Sequence, residues 1–183
     1  MTQRPLLTLV ATFFTLGSVQ ATLAEENSPA NQALASYHHV LLERYPDVEH
    51  ISTGALVGLS EKSVVLFDVR NQAEFKISHL ASATRVSPSI SPQSFLKSFG
   101  GELEGKTVVF YCSVGERSSK LAQALLDMDD PIPFDVVNLE GGIFQWHNEN
   151  RPVIDAGGTT QSIHPFNRSW GRLLERREHI QER

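Results

Sequence analysis

Cysteine is nearly absent from this chain: Cys112 is the one thiol in 183 residues. An internal disulfide is therefore excluded, and the thiol must stay free, pair with another molecule or serve chemistry. Positive charge is scarce too. Sixteen (16) Lys and Arg face 21 Asp and Glu, a formal net charge of −5, which argues against nucleic acid as a partner. The apolar stretch at 6–16 is short and broken by threonines, which argues against a membrane span. There is no internal repeat and no low-complexity tract. For this length, one compact domain with flanking segments is the expectation.

The amino terminus has the layout of a secretory signal peptide. Arg4 is followed by the apolar stretch 6–16 and by small residues around 19–24, so residues 1–24 are read as a signal cleaved after Ala21 or Ala24. Its removal takes away Arg4 and no acid, so 15 Lys and Arg remain against 21 Asp and Glu, a mature net charge of −6. Export follows, with a bacterial periplasm as the expected location. In an oxidising compartment a reactive thiol needs a reductant or a sulfur donor nearby.

Downstream, helical and strand-like stretches alternate. Residues 25–30 read as a polar lead with Pro29 as a break, and 31–45 as a helix with Leu34, Tyr37, Val40, Leu41 and Leu42 near one face. Ser52 and Thr53 cap a short helix through Leu59. Residues 64–67 form a buried strand whose tip is Asp68-Val69-Arg70, and Asn71 caps a helix carrying Glu74 and Phe75. A short strand is expected near 84–86, a helix from Ser91-Pro92, a strand over 107–111, a helix over 117–127, a strand over 134–139 and a helix from Gly141-Gly142 through Trp146. Strands separated by helices predict a parallel sheet with helices on both faces. Ligands then bind at the carboxyl ends of the strands, where Asp68, Cys112 and Glu140 stand.

Cys112 is the most informative of these. It ends the apolar run 107–111 and opens Cys112-Ser113-Val114-Gly115-Glu116-Arg117-Ser118, which turns into a helix. A thiol at that junction faces backbone N–H groups and the positive end of a helix, both of which favour a thiolate. Arg117 can serve the sulfur or an anionic substrate. Ser113, Ser118 and Ser119 offer hydroxyls, and Gly115 permits a positive φ and a close ligand approach.

Asp68-Val69-Arg70, Glu74-Phe75, His79-Leu80 with Ala83, the loop from Cys112 to Ser118, and Leu139-Glu140-Gly141-Gly142 with Trp146 follow one another in an order that resembles the rhodanese family. The resemblance covers roughly residues 51–154. It implies an α/β fold: a three-layer rhodanese-like domain with a central parallel sheet flanked by helices. The chain then divides into the signal peptide at 1–24, a lead and helix at 25–50, the domain at 51–154 and a C-terminal extension at 155–183, read as helical from the spacing of Trp170, Leu173, Leu174 and Ile180.

The resemblance further implies a sulfurtransferase that moves a sulfane sulfur from thiosulfate, a persulfide or a polysulfide to a thiophilic acceptor through a Cys112 persulfide. Cys112 is then catalytic. Ser113, Val114, Gly115, Glu116, Arg117 and Ser118 bind substrate, while Asp68 and Arg70 brace the loop. The implied partners are a small sulfur donor and a thiol or cyanide-like acceptor, with a protein donor or acceptor as a further option. Adjacent residues on a helix point apart, so His38 and His39 do not predict a metal; neither a metal nor an organic cofactor is expected. His164, before Pro165, is given no role.

The chain departs from the family where many members have Gly before His79 and Pro-Gly before Ala83. Here Ser78, Ala81 and Ser82 stand there. Glu116 in the loop predicts weak use of thiosulfate, because a carboxylate beside the sulfur repels a dianion. Two rival readings stand beside the transferase. One is a non-enzymatic binding or sulfur-relay module. The other is a phosphatase or arsenate reductase, whose loops leave five residues between Cys and Arg where this chain leaves the four from Ser113 to Glu116.

Overall fold

The structure, a computed structural model, describes residues 28–182. The signal-peptide reading of residues 1–24 lies outside them. Among the described residues, no helix is long and apolar enough to cross a membrane.

The first helix, α1 (Pro29–Arg44), begins two residues earlier than the sequence pattern suggests. Pro29 opens it instead of breaking it: Ser28 caps the end by accepting from the Asn31 N–H at 3.1 Å, and proline at the first helical position forfeits only a donor that has no partner there. Then follow β1 (Glu49–Ile51), α2 (Thr53–Gly58) under a Ser52 cap, β2 (Val64–Asp68), α3 (Gln72–Ile77) after Asn71, β3 (Thr84–Arg85), and α4 (Pro92–Phe99) under a Ser91 cap. After them come β4 (Thr107–Tyr111), α5 (Glu116–Leu126), β5 (Asp135–Leu139) and α6 (Gly142–Asn148).

The five strands form one parallel sheet in the order β1-β5-β4-β2-β3. This is the α/β architecture expected from the sequence. Successive side chains of β4 point to opposite faces, and the core divides accordingly. Val108 and Phe110 pack with Phe95 of α4 and Leu121, Ala122 and Leu125 of α5. Val109 and Tyr111 pack with Leu34 of α1, Leu56 of α2, Ile143 and Phe144 of α6, and Ile163 and Leu174 beyond it. Each such side chain taken from water contributes about 1.5–3 kcal/mol. With both faces covered, β4 is a near-continuous apolar run that ends at the sulfur.

The C-terminal extension differs from the helix its spacing predicts. A hairpin, β6 (Val153–Asp155) with β7 (Gly158–Thr160), leads into two short 3-10 turns, Trp170–Leu173 and Arg177–His179. The cause is tertiary. The extension spends its backbone groups on long-range partners: the Asn148 side chain donates to Leu173 O at 2.9 Å and accepts from the Glu175 N–H at 3.0 Å, and within the extension the Gln181 N–H donates to Ile163 O at 3.0 Å. Asn148 also donates to Asn31 of α1 at 2.9 Å, so one buried amide joins α1, α6 and the extension. The hairpin is tied in through reciprocal bonds between His79 and Ile154 at 2.8 and 2.9 Å.

The departures at 78–82 have distinct physics. Ser78 is extended (φ −169°), which any residue adopts. Ser82 sits at φ 62°, in the left-handed region where glycine carries no Cβ penalty.

Candidate functional site

The connections after β2 and β4, neighbours at the centre of the sheet, lead away in opposite directions along the strand order, which places a crevice at their carboxyl ends. Cys112 stands there, 1% exposed, at the floor of a pocket of about 140 Å³ lined by Cys112, Ser113, Val114, Glu116, Arg117, Phe166 and Trp170. A separate hollow of about 190 Å³, bordered by Ser52, Glu140 and Glu149, contains no residue of the Cys112 loop.

Gly115 makes the turn from strand to helix possible. It caps α5 at φ 99°, and an added Cβ would lie 3.0 Å from both Asn138 Nδ2 and Leu41 Cδ1. The loop is pressed from below by α6. Ile143 and Phe144 donate their N–H groups to Cys112 O and Ser113 O at 2.9 and 3.0 Å, and a Cβ on Gly142 would stand 2.4 Å from Cys112 O. Among the described residues, no backbone carbonyl accepts from the N–H of Val114, Gly115, Glu116, Arg117 or Ser118. These are the orphan donors of a helix start, concentrated next to the sulfur in sequence.

Arg117 is held by a residue that the sequence reading left without a role. Glu74 of α3 receives its two outer nitrogens at 2.8 Å each, and Ser113 Oγ accepts from Arg117 at 2.9 Å while donating to Glu74 at 3.1 Å. Glu74 also accepts from the Asn71 N–H at 3.0 Å, so its carboxylate closes a capping box and an ion pair at once. Burial pushes the Glu74 carboxyl up, but Arg117, with help from the Asn71 N–H and Arg70, outweighs it and holds the group below the usual carboxylate range. Burial opposes the charge on Arg117, yet the Glu74 bonds and the adjacent Cys112 sulfur raise its pKa further. The spacing of Asn71 and Glu74 was a legible capping signal; nothing local pointed to Arg117, 43 residues away.

The remaining predicted site residues divide. Ser113, Val114, Glu116 and Arg117 line the pocket. Gly115 and Ser118 do not: the first faces Asn138 and Leu41, and the second is fully buried. The Ser113 hydroxyl is committed to Glu74 and not to the sulfur, and the buried Ser118 and Ser119 hydroxyls have no hydrogen-bond partner among the described residues. Glu116 is corrected as a source of repulsion. Its carboxylate accepts from Arg44 at 2.7 and 2.9 Å and from the Tyr37 and Tyr45 hydroxyls at 2.5 and 3.0 Å. Burial raises the Glu116 carboxyl, but these donors lower it on balance, and Arg44 offsets its charge.

Asp68 and Arg70 are a fully buried ion pair, with Arg70 nitrogens at 2.7–3.1 Å from both carboxylate oxygens and a further bond to Ser78 O at 2.5 Å. They brace the turn at the tip of β2 and do not line the pocket. His38 bonds to Glu140 and to His50, each at 3.1 Å, and among the described residues no group of three His, Cys, Asp or Glu side chains has an arrangement that could hold a metal ion.

Two pocket residues lie outside the predicted site: Phe166, which the sequence reading passed over, and Trp170, which it placed on a helical stripe of the extension. Phe166 lies over the Arg117 guanidinium at 4.6 Å, and Trp170 packs edge-on to Tyr37 at 4.8 Å. Phe166 occupies a left-handed backbone position (φ 61°) at the centre of a three-residue turn closed by Asn167 N–H to Pro165 O at 2.7 Å. This rare turn costs about 1–3 kcal/mol. The Asn167 side chain then accepts from the Ser169 and Trp170 N–H groups at 3.0 Å each.

The sequence is 32% identical over 96 residues to a protein of Mycobacterium tuberculosis named probable adenylyltransferase/sulfurtransferase MoeZ, covering 51% of this chain and 22% of that one. It is 29% identical over 131 residues to the tRNA uridine(34) hydroxylase of Aster yellows witches'-broom phytoplasma, covering 68% of this chain and 40% of the relative. The chain thus spans about half the length, or less, of the relatives it matches. A thiosulfate sulfurtransferase structure from Pseudomonas aeruginosa shares the fold at TM-score 0.51 and 13% identity, over 76% of this chain and 26% of that one. The rhodanese-like domain model matches residues 53–149, which run from the start of α2 to the end of α6 and enclose the sulfur, its loop and the Glu74 partner. By that match, and by the parallel sheet that delivers Cys112, the chain belongs to the rhodanese-like domain family.

Proposed function

We propose that the protein is a sulfurtransferase in which Cys112 takes a sulfane sulfur from a donor and passes it to a thiophilic acceptor. The observation that carries this reading is the placement of Cys112 at the floor of a pocket, beside a guanidinium, where a strand meets a helix start whose N–H groups have no backbone acceptor. In the first half-reaction the Cys112 thiolate attacks the outer sulfur of the donor. A bond forms between Sγ and that sulfur, and the donor's S–S bond breaks with its electron pair leaving on the donor fragment. In the second, a thiolate or cyanide attacks the outer sulfur and returns Cys112 as thiolate. No net oxidant is consumed.

Arg117 is a positioning residue in this scheme. Its outer nitrogens pair with Glu74 and Ser113, so it holds the Cys112 loop in place and does not offer forked capture of an oxyanion. The same engagement weighs against a phosphatase, which needs that fork for phosphate. Export to a periplasm is proposed with the transferase, on the composition of residues 1–24 alone.

The test is intact mass after exposure to thiosulfate, an alkyl persulfide and inorganic polysulfide, with Cys112→Ser beside the native protein. A gain of one sulfur that requires Cys112 and is lost on adding cyanide supports the transferase. No gain with any donor refutes it and leaves the non-catalytic module. Cys112-dependent turnover of an aryl phosphate supports the phosphatase instead.

A further inference from the structure

The pocket over Cys112 has two walls of different origin. One is the Cys112 loop; the other is Phe166 and Trp170, which lie beyond the residues matched by the family model, 53–149. Resting on the sulfur-transfer reading above, we propose that Phe166 and Trp170 are specificity-determining residues that select a small organic persulfide, R–S–SH with a hydrocarbon R group and at most one negative charge, over the thiosulfate dianion.

Charge balance is the first argument. Arg117 is the one cation among the pocket-lining residues, and Glu74 neutralises it through both outer nitrogens. Glu116 is the one anion there, and Arg44 neutralises it. The Phe166 ring covers the guanidinium at 4.6 Å, which reduces its contact with water and with any incoming anion. A dianion entering this space sheds hydration and meets no net positive side-chain charge. A carrier with one charge, or none, sheds far less.

The second argument is the surface that remains. Val114, Phe166 and Trp170 present hydrocarbon to the pocket, which at about 140 Å³ admits a short chain and little more. Hydrocarbon placed against these rings leaves water favourably. The rings are held for contact before anything binds. Asn167 fixes the backbone at Trp170, and Tyr37 supports its ring. Gly171 closes the same loop: its N–H donates to Asn167 O at 2.9 Å, and a Cβ there would approach Pro165 Cβ to 2.9 Å. Pre-set apolar walls select by shape without the cost of ordering them.

The transfer step balances without a co-reactant. The Cys112 thiolate attacks the outer sulfur of R–S–SH, the donor S–S bond breaks, and its electron pair leaves as R–S⁻. The proton carried by the transferred sulfur then passes to that thiolate, giving Cys112 persulfide anion and R–SH.

The experiment measures the rate of Cys112 persulfide formation by quenched intact-mass analysis on the purified protein. The donors are n-butyl persulfide generated in situ, thiosulfate and inorganic tetrasulfide. Native protein should use butyl persulfide at least about tenfold more efficiently than thiosulfate, the discrimination a few methylene contacts supply. In Phe166→Ala and Trp170→Ala that ratio should fall about tenfold, and Phe166→Leu, which restores an apolar wall and keeps the fold, should recover most of it. Equal use of the two donors by native protein, or an unchanged ratio in both alanine variants, overturns the inference. If tetrasulfide loads Cys112 in the native protein while selectivity is absent, the sulfur-transfer reading survives and only this inference fails. If no donor loads Cys112, both fall.

Discussion

Glu74 and Arg117 meet through two parallel contacts of 2.8 Å, with the carboxylate nearly buried and the guanidinium 21% exposed. The pair joins the helix that follows β2 to the helix that follows β4, and Ser113 closes it into a triangle at the pocket rim. The position of the Cys112 loop therefore depends on a side chain from another part of the chain.

Glu74→Gln keeps the size and one acceptor but leaves Arg117 without its counter-charge. A loss of about 1–3 kcal/mol is expected, below the full cost of breaking a buried pair because Arg117 is partly solvated. The released charge should also raise thiosulfate loading of Cys112 relative to butyl persulfide. Urea unfolding and donor rates check the two effects separately; an unchanged midpoint would show that the pair holds nothing.

Gly142→Ala places a methyl group 2.4 Å from Cys112 O at a residue with φ 57°. Left-handed strain and overpacking together should cost about 2–4 kcal/mol. The displaced loop should slow persulfide formation about tenfold or more, as ångström-scale misplacement of a reacting group does. Gly105→Ala is the control: its φ is 66° and its Cβ would meet nothing within 4 Å, so it should lose about 1 kcal/mol and leave sulfur loading intact.

Ser82→Gly should stabilise the protein by about 0.5–1 kcal/mol. The left-handed backbone at φ 62° penalises the serine Cβ by more than glycine adds to the entropy of the unfolded chain. Thermal unfolding reads the gain, and a lowered midpoint would mean that the serine side chain contributes more than its backbone strain removes.

Acid should destabilise the fold through two histidines. Burial, aided by the neighbouring His38, lowers His50 from 6.5 to about 4, and burial likewise lowers His147 from 6.5 to about 4, against its bond to Gln161 O. Below 6.5 the unfolded chain binds protons that the folded chain refuses. Their contribution is therefore complete above pH 6.5 and is lost as pH falls from 6.5 toward 4. Urea midpoints measured across that interval should decline, and His147→Gln should flatten the slope; a midpoint constant from pH 7 to 4 would contradict the assignment.

Much of the architecture was legible because its causes are local. The run Thr107–Tyr111 ends at Cys112 as expected, and Ser52, Asn71 and Ser91 stand at the starts of their helices. Pro29 was misjudged for a reason that lies one residue away: the Ser28 cap turns a breaker into a first residue. Glu116 was misjudged for a reason that lies far away, because Arg44 approaches it from α1, 72 residues earlier.

By itself, then, the sequence determined the alternation of strands and helices, the parallel sheet and the placement of the lone thiol at a strand tip. Those follow from periodicity, caps and turn residues within a few positions of one another. Only the tertiary structure decided what surrounds that thiol: Glu74 on Arg117, Arg44 on Glu116, and Phe166 with Trp170 across the pocket. These contacts join residues tens of positions apart, and a hydrocarbon stripe in the extension carries no record of which surface it will meet. Asn148 of α6 bonds that extension and α1 together, and the expected helix gives way to a segment whose Phe166 and Trp170 wall the site.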